Sequence, residues 1–389
     1  MPVLQLQVSD SFLLSCSLKL PVVLQTRIIS AAGLSEMCLS FIAALFFYVH
    51  GADTSKICPH LCFCYESSSF VDCHNRHLVH VPHGIPHNTW MLNLRHNNLS
   101  GLEVGCFDAL WSLKILLMSH NSIAKIWPQT FTSLNFLEKM DLSYNLLAHL
   151  PHDFSNELTS LKDLKMAHNF LIALGFESLQ YMENLEKLDL SHNLVTSIER
   201  GTFRGLSRLR HLYLQSNRLA VIYNGFFFML QNLEVLLLNS NNISFIEVEA
   251  FTSLHNMNFL ALTGNRLIHL KFKTFLNIQT VSTHIQLAGN PWACDCDLQR
   301  VFGKITSVRH LHVDDYENLT CFSPWQLTGS PLVSVDSQLC MAETATVLVI
   351  TVTVLVTVIA AIVMAERNRK KNLEKNWNEL EGPFDSQEK

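Results

Sequence analysis

The sequence predicts an α/β solenoid: a curved arc with a concave parallel sheet, disulfide caps at both ends, and one transmembrane helix beyond it. Three observations carry this. An Asn recurs every twenty-four residues from Asn97 to Asn265, and a ninth, Asn290, comes one residue late. A cluster of four cysteines flanks that run on each side. Residues 344–365 carry no charge.

Five and three residues before each Asn sit apolar side chains, from Leu92 and Leu94 to Ile285 and Leu287. Two residues after the first eight comes another, from Leu99 to Leu267. The pattern L-x-x-L-x-L-x-x-N-x-L resembles the leucine-rich repeat. Its L-x-L core reads as a short strand with apolar side chains pointing inward. One repeat cannot bury its own wedge, so neighbours must stack and share a core. The Asn turns the chain out of the strand at a buried point, where its amide can bond backbone of its own and adjacent coils. A second spine follows ten residues after the Asn: Phe107, Phe131, Phe203, Phe227, Phe251 and Phe275. Repeat three shifts it to Phe154, and repeat four places Leu179 there. Wide coils on this side and packed strands on the other force curvature.

The chain has 389 residues, 48% hydrophobic and 16% charged, with a net charge of −5. That balance suits a rich core plus membrane segments and points to no nucleic-acid partner. From Met37 the chain reads as an apolar run of signal-peptide length, with Val49-His50-Gly51 at a plausible cut before Ala52. Translation starts either at Met37 or at Met1, where Lys19 and Arg27 would serve a long n-region. On both readings the mature chain begins near Ala52, and Cys16 and Cys38 take no part in it. Residues 1–51 are thus an upstream extension and signal peptide, 52–89 the N-terminal cap, 90–290 the repeats and 291–340 the C-terminal cap.

Cys58, Cys62, Cys64 and Cys73 precede the repeats; Cys294, Cys296, Cys321 and Cys340 follow them. Solenoid ends expose raw apolar surface and need caps. The strings "CPHLCFCYESSSFVDC" and "GNPWACDC" resemble the caps of the extracellular leucine-rich repeat family. Spacing alone leaves three connectivities per cap. The resemblance implies Cys58–Cys64, Cys62–Cys73, Cys294–Cys321 and Cys296–Cys340. A zinc site is the competing reading of four close cysteines, and the secretory route argues against it. Cys106 has no near partner and reads as a buried free thiol, with an intermolecular disulfide as the alternative.

Five of the nineteen histidines, His74, His77, His80, His83 and His87, fall in the cap-to-repeat stretch. His96, His120, His168 and His192 recur just before the ladder Asn, with Tyr144 interrupting. Strands about 4.8 Å apart make His96/His120 and His168/His192 neighbours on the concave rim. A metal site or pH-sensitive face is the sharp reading; a common filling of an exposed repeat position is the plain one. No acidic or cysteine ligands cluster with them, and no metal or other cofactor is expected.

No nucleophile elbow, zinc-protease motif or phosphate loop is present, and an enzyme is not expected. Asp141 and Asp189 on the strands are flanked by lysines, which makes them mixed-charge surface rather than a glycosidase pair. Outward strand positions define a protein-recognition face that is apolar at its ends and charged in its middle. Its candidate ligand-binding residues are Trp90, Ile115, Leu117, Asp141, Tyr144, Lys165, Asp189, Tyr213, Leu237 and Phe259. Sequons stand at Asn98, Asn242 and Asn318.

Residues 344–365 are long enough to span a bilayer as a helix. Residues 366–375 hold five basic against two acidic groups, which makes this side cytoplasmic. The expectation is a type I single-pass protein of the plasma membrane with extracellular repeats and a tail, 366–389, too short for a folded signalling unit. The layout resembles the short-tailed leucine-rich repeat membrane glycoproteins, the group of trophoblast glycoprotein. That resemblance implies an adhesion or receptor role with an extracellular or membrane protein partner. The layout is also similar to the gamma auxiliary subunits of potassium channels, which implies a regulatory partner in the same membrane.

Overall fold

The computed structural model describes residues 58–380, apart from 277, 279 and 336. The chain divides into two units, Met1–Ile57 and Cys58–Lys389. The signal peptide, the choice between Met1 and Met37, and Cys16 and Cys38 lie outside the described residues.

The second unit is built on one twelve-stranded sheet. Its strands are β1 (Phe63–Tyr65), β2 (Phe70–Asp72), β3 (Met91–Asn93), β4 (Ile115–Leu117), β5 (Lys139–Asp141), β6 (Asp163–Lys165), β7 (Lys187–Asp189), β8 (His211–Tyr213), β9 (Val235–Leu237), β10 (Phe259–Ala261), β11 (Thr283–Gln286) and β12 (Leu311–Val313). β1 and β2 form an antiparallel hairpin; every later pairing is parallel. The twenty-four-residue period fixes the register, so Leu92 faces Leu116 and Leu188 faces Leu212. The middle residue of each repeat strand is buried, from Leu92 to Leu260, because only that side chain points into the coil.

The Asn ladder satisfies the backbone where the chain leaves each strand. Asn169 Nδ2 donates to the Leu142 carbonyl of the coil before it at 3.0 Å and to the Met166 carbonyl of its own coil at 3.2 Å. Its Oδ1 accepts the Leu147 N–H at 3.0 Å. The same set recurs at Asn121, Asn145, Asn193, Asn217, Asn241, Asn265 and Asn290. The amide's donor nitrogen and its acceptor oxygen are both thereby engaged.

On the outer side the Phe rings pack in file, with centroids 6.0 Å apart at Phe107–Phe131 and 6.1 Å at Phe227–Phe251. Leu179 fills the file in coil four, fully buried at the end of a 3-10 turn, Phe176–Leu179. Short helix α1 (Lys273–Leu276) belongs to the eighth coil, after Asn265.

Disulfides join Cys58 to Cys64 and Cys62 to Cys73 at one end, with Cα atoms 5.7 and 4.3 Å apart. At the other, Cys294 joins Cys321 and Cys296 joins Cys340, at 5.5 and 5.3 Å. Helix α2 (Cys296–Ser307) closes this end, capped by Asp295, whose carboxylate accepts the Leu298 N–H at 2.8 Å. Its Leu298, Phe302 and Ile305 cover the last coil.

Helix α3 runs over Ser337–Leu380. Within it Ala345–Leu373 is long and apolar enough to cross a membrane, the one such helix among the described residues. The helix does not stop at 365, where the uncharged run ends. Glu, Arg, Lys and Leu favour helix, and neither Gly nor Pro occurs before Gly382, so it continues through Arg367, Arg369, Lys370 and Lys371.

Candidate ligand-binding surfaces

Each inner strand sends its first and third side chains out over the concave face. Ile115 and Phe259 occupy the first position of their strands. Leu117, Asp141, Lys165, Asp189, Tyr213 and Leu237 occupy the third. All eight are partly exposed, and Trp90, one residue before β3, is exposed. Ala261, an outward position by the alternation, is instead buried. The face is apolar at Ile115 and Leu117, charged from Lys139 to Asp189, and apolar again from Val235 to Phe259.

The central carboxylates have a local task that strand periodicity does not reveal. Asp141 Oδ1 accepts the Ser143 N–H at 3.0 Å, and its other oxygen lies 3.6 Å from Arg95. Asp189 Oδ1 accepts both the N–H and the hydroxyl of Ser191, at 3.0 and 2.7 Å. Asp72 and Asn93 fasten the same turn in their own coils. These are Asx-type turns that lead the chain out of the strand, so the carboxylates are partly spent on the fold. Tyr213 carries Lys187 above its ring at 5.1 Å. Below the strands, Glu138 sits between Lys114 and Lys162, 3.0 Å from each. Hydrogen bonds from Lys162 and then Lys114 hold its carboxyl below the usual range.

A second surface runs along the flank where the strands end. The residue before each ladder Asn has left-handed backbone, with φ of 52° at His96, 57° at His120, 55° at Tyr144 and His168, and 53° at His192. These five side chains form one uninterrupted stack. Ring centroids are 4.4 Å apart at His96–His120, 4.3 Å at His120–Tyr144, 4.1 Å at Tyr144–His168 and 4.2 Å at His168–His192. His74 meets the first edge-on. Tyr144 therefore continues the row; its place before the Asn matters more than its being a Tyr. The left-handed backbone had a signal in the sequence, because the same row holds Gly264 and Gly289, both at positive φ.

Two members of the stack, His96 and His168, have lowered pKa values. Loss of hydration lowers the His96 pKa first, followed by the charge of His120, His74 and Arg95. His168 is lowered by desolvation, then by His192, while Asp189 opposes the shift and His120 adds to it. Parallel ring planes about 4 Å apart do not meet, so one ion cannot lie in the plane of two neighbouring imidazoles. Among the described residues no group of three or more His, Cys, Asp or Glu is placed to hold a metal. His77, His80, His83 and His87 are exposed, and His87 Nδ1 lies 3.1 Å from the Ala109 carbonyl.

Two residues beyond the ring row runs another, in which Leu146 and Phe170 are exposed at 46% and 48%. The sequon residues Asn98 and Asn242 sit in this same row, both exposed, as is Asn318 in the C-terminal cap. Cys106 is a half-buried free thiol whose pKa burial pushes up to about 12, which leaves it protonated and unreactive.

Four overlapping matches to the leucine rich repeat model cover residues 87–147, 112–171, 159–219 and 207–267. Residues 87–267 are thus a run of leucine-rich repeats, and the chain is similar to extracellular leucine-rich repeat proteins. Rat leucine-rich repeat-containing protein 3 is 38% identical over 79 residues, which is 20% of this chain and 31% of that protein. Human amphoterin-induced protein 1 is 35% identical over 98 residues, 25% of this chain and 20% of the relative. The chain thus matches less than a third of these curated relatives. Among solved structures, human trophoblast glycoprotein (5T4) superposes with a TM-score of 0.56 at 26% identity, covering 74% of this chain and 99% of that one.

Proposed function

We propose that this leucine-rich repeat protein is a single-pass type I glycoprotein of the plasma membrane whose arc binds a protein ligand or partner receptor. Residues 1–51 direct the chain and are removed, 52–89 and 291–340 cap the repeats of 90–290, 344–365 cross the bilayer, and 366–389 face the cytoplasm. Sugars at Asn98, Asn242 and Asn318 hydrate the flank and the C-terminal cap.

The observation that carries the binding role is the flank. Stacked rings from His96 to His192 and the neighbouring Leu146 and Phe170 form an exposed aromatic and aliphatic strip. Such a strip, rimmed by charge, suits protein recognition. The strip adjoins the concave residues Asp141, Lys165, Asp189 and Tyr213, so one ligand can engage both. Asn98 and Asn242 stand at either end of the Leu146 row, and glycans there frame the strip without covering its centre.

The test is binding of a multimerised, glycosylated ectodomain, residues 52–340, to a panel of intact cells. Saturable binding is expected, and Phe170→Ser with Leu146→Ser should weaken it at least about tenfold, as for anchors of an interface. A correctly folded ectodomain that binds no cell type saturably would defeat the proposal.

A further inference from the structure

Residues 319–335 of the C-terminal cap contain no charged side chain and no histidine. Composition of this kind ordinarily marks a core segment, yet its largest side chains point out. Trp325 is 81% exposed, Phe322 66% and Val333 56%. The segment is nevertheless firmly held. Leu319, Cys321 and Leu332 are buried, and Cys321 is bonded to Cys294. The Leu332 N–H donates to the Leu319 carbonyl at 2.7 Å, and Thr328 donates its hydroxyl to the Phe322 carbonyl at 2.9 Å. The fold thus presents three large apolar groups on a small rigid knot and gives none of them a partner core.

What lies close to that knot is the entry of α3. Cys340, within the first turn of α3, is bonded to Cys296, the first residue of α2. Gln299 on α2 donates to the Val335 carbonyl at 3.0 Å, and its side-chain oxygen lies 3.1 Å from the Cys340 sulfur. Val335 ends the uncharged segment, two residues from Val333. Only four residues then separate Cys340 from Ala345, where the apolar span begins, a rise of about 7 Å along a helix.

We propose that this knot of the C-terminal cap, led by Trp325 and Phe322, seats in the headgroup region of the same bilayer that α3 crosses. The inference rests on the reading of α3 as a membrane span. The chemistry matches the site: an indole with its polar N–H beside a phenyl ring and an aliphatic side chain is the composition that partitions to the membrane interface. The uncharged segment avoids the cost of bringing ions to lipid. Asn318 and Glu317, both exposed, lie just before the segment and form its hydrated rim. Two attachments, the helix and the cap, would fix the tilt of the arc over the membrane, whereas the helix alone leaves it free to swing.

The experiment uses the full chain in nanodiscs whose lipids carry bromine near the headgroup. The emission of Trp325 is isolated as the difference between the native chain and Trp325→Phe, a change that keeps an apolar ring and disturbs no buried group. An indole at headgroup depth should lose roughly half its intensity to the bromines and be shielded from aqueous iodide. Trp325 emission untouched by bromine, in a chain that co-elutes with the discs and resists alkaline extraction, would overturn the seating and leave the span intact. Shielding from both quenchers would mean that protein covers the knot, and would overturn it equally. A chain that fails to enter the discs would overturn the span, and the seating with it.

Discussion

Two rows of residues run side by side along the arc, and they behave in opposite ways. The ladder position is Asn in all nine coils. The position just before it is His, His, Tyr, His, His, then Ser216, Ser240, Gly264 and Gly289, all at φ between 52° and 70°. The backbone is the same in both halves, but the side chains are not. The buried row is fixed because its amide has three or more bonds to make, and only Asn carries two donors and an acceptor on so short a side chain. The exposed row needs only tolerance of left-handed backbone, which Gly meets best; at Gly289 a Cβ would also crowd Gly264, 3.3 Å away. Five rings in one half are therefore not demanded by the fold, and their role lies at the surface.

The largest effect should come from the buried row. Asn169→Ala strands the Leu147 N–H, a cost of about 1–3 kcal/mol when buried, and removes one of the bonds at the Leu142 and Met166 carbonyls, which keep Asn145 and Asn193. The expected loss is roughly 2–4 kcal/mol, read as a lower urea midpoint and poor secretion. A change of less than about 1 kcal/mol would mean that water takes over the amide's bonds, and that the row is conservative by habit rather than need.

Acidification should discriminate between the halves. The His96 and His168 pKa values are lowered in the folded chain, so the unfolded chain binds protons more readily. Stability then falls as pH drops through the ordinary His range near 6.5, and continues to fall until the lowered folded values are passed. Thermal melts from pH 7.5 to pH 5 should show this decline. Replacing His96, His120, His168 and His192 by Ser, the residue used at 216 and 240, should flatten that part of the profile. An unchanged slope would place the acid sensitivity outside this row.

Much of this was legible in the sequence, and the exceptions share a cause. A period of twenty-four is written in the Asn and Leu positions, so coil, ladder and Phe file follow by stacking. Strand alternation likewise placed Ile115, Leu237 and Phe259 on the concave face. What periodicity misses is the local turn. It counted Tyr144 as a break in the histidines, because it compares residue types while the stack depends on backbone position. It read Asp141 and Asp189 as face residues, because the N–H groups they accept lie two residues ahead, outside the strand. It marked only the uncharged span 344–365, because hydropathy drops there while helix propensity does not.

At neutral pH the ring row itself should be nearly silent in stability. A stacked aromatic pair contributes about 0.5–1.5 kcal/mol, and left-handed backbone costs a non-Gly residue an amount of the same order. His168→Gly therefore removes two stacks and one strained backbone, and the net change should stay within about 1 kcal/mol. Its effect should appear instead in cell binding by the ectodomain. A large stability loss with unchanged binding would reverse the assignment of the two rows.

The smallest effect is expected where the face and the fold share a residue. Asp189→Asn keeps an oxygen for the Ser191 N–H and hydroxyl, while Asp189→Ala keeps none. The Ala variant should lose about 1 kcal/mol and the Asn variant a few tenths at most. Ligand affinity supplies the contrast. If the carboxylate serves only the turn, Asn binds ligand like the native chain. If its charge also faces the ligand, Asn weakens binding while stability stays put, and the salt dependence of association falls with it. The pair of variants thus separates, at one residue, what the coil needs from what the surface offers.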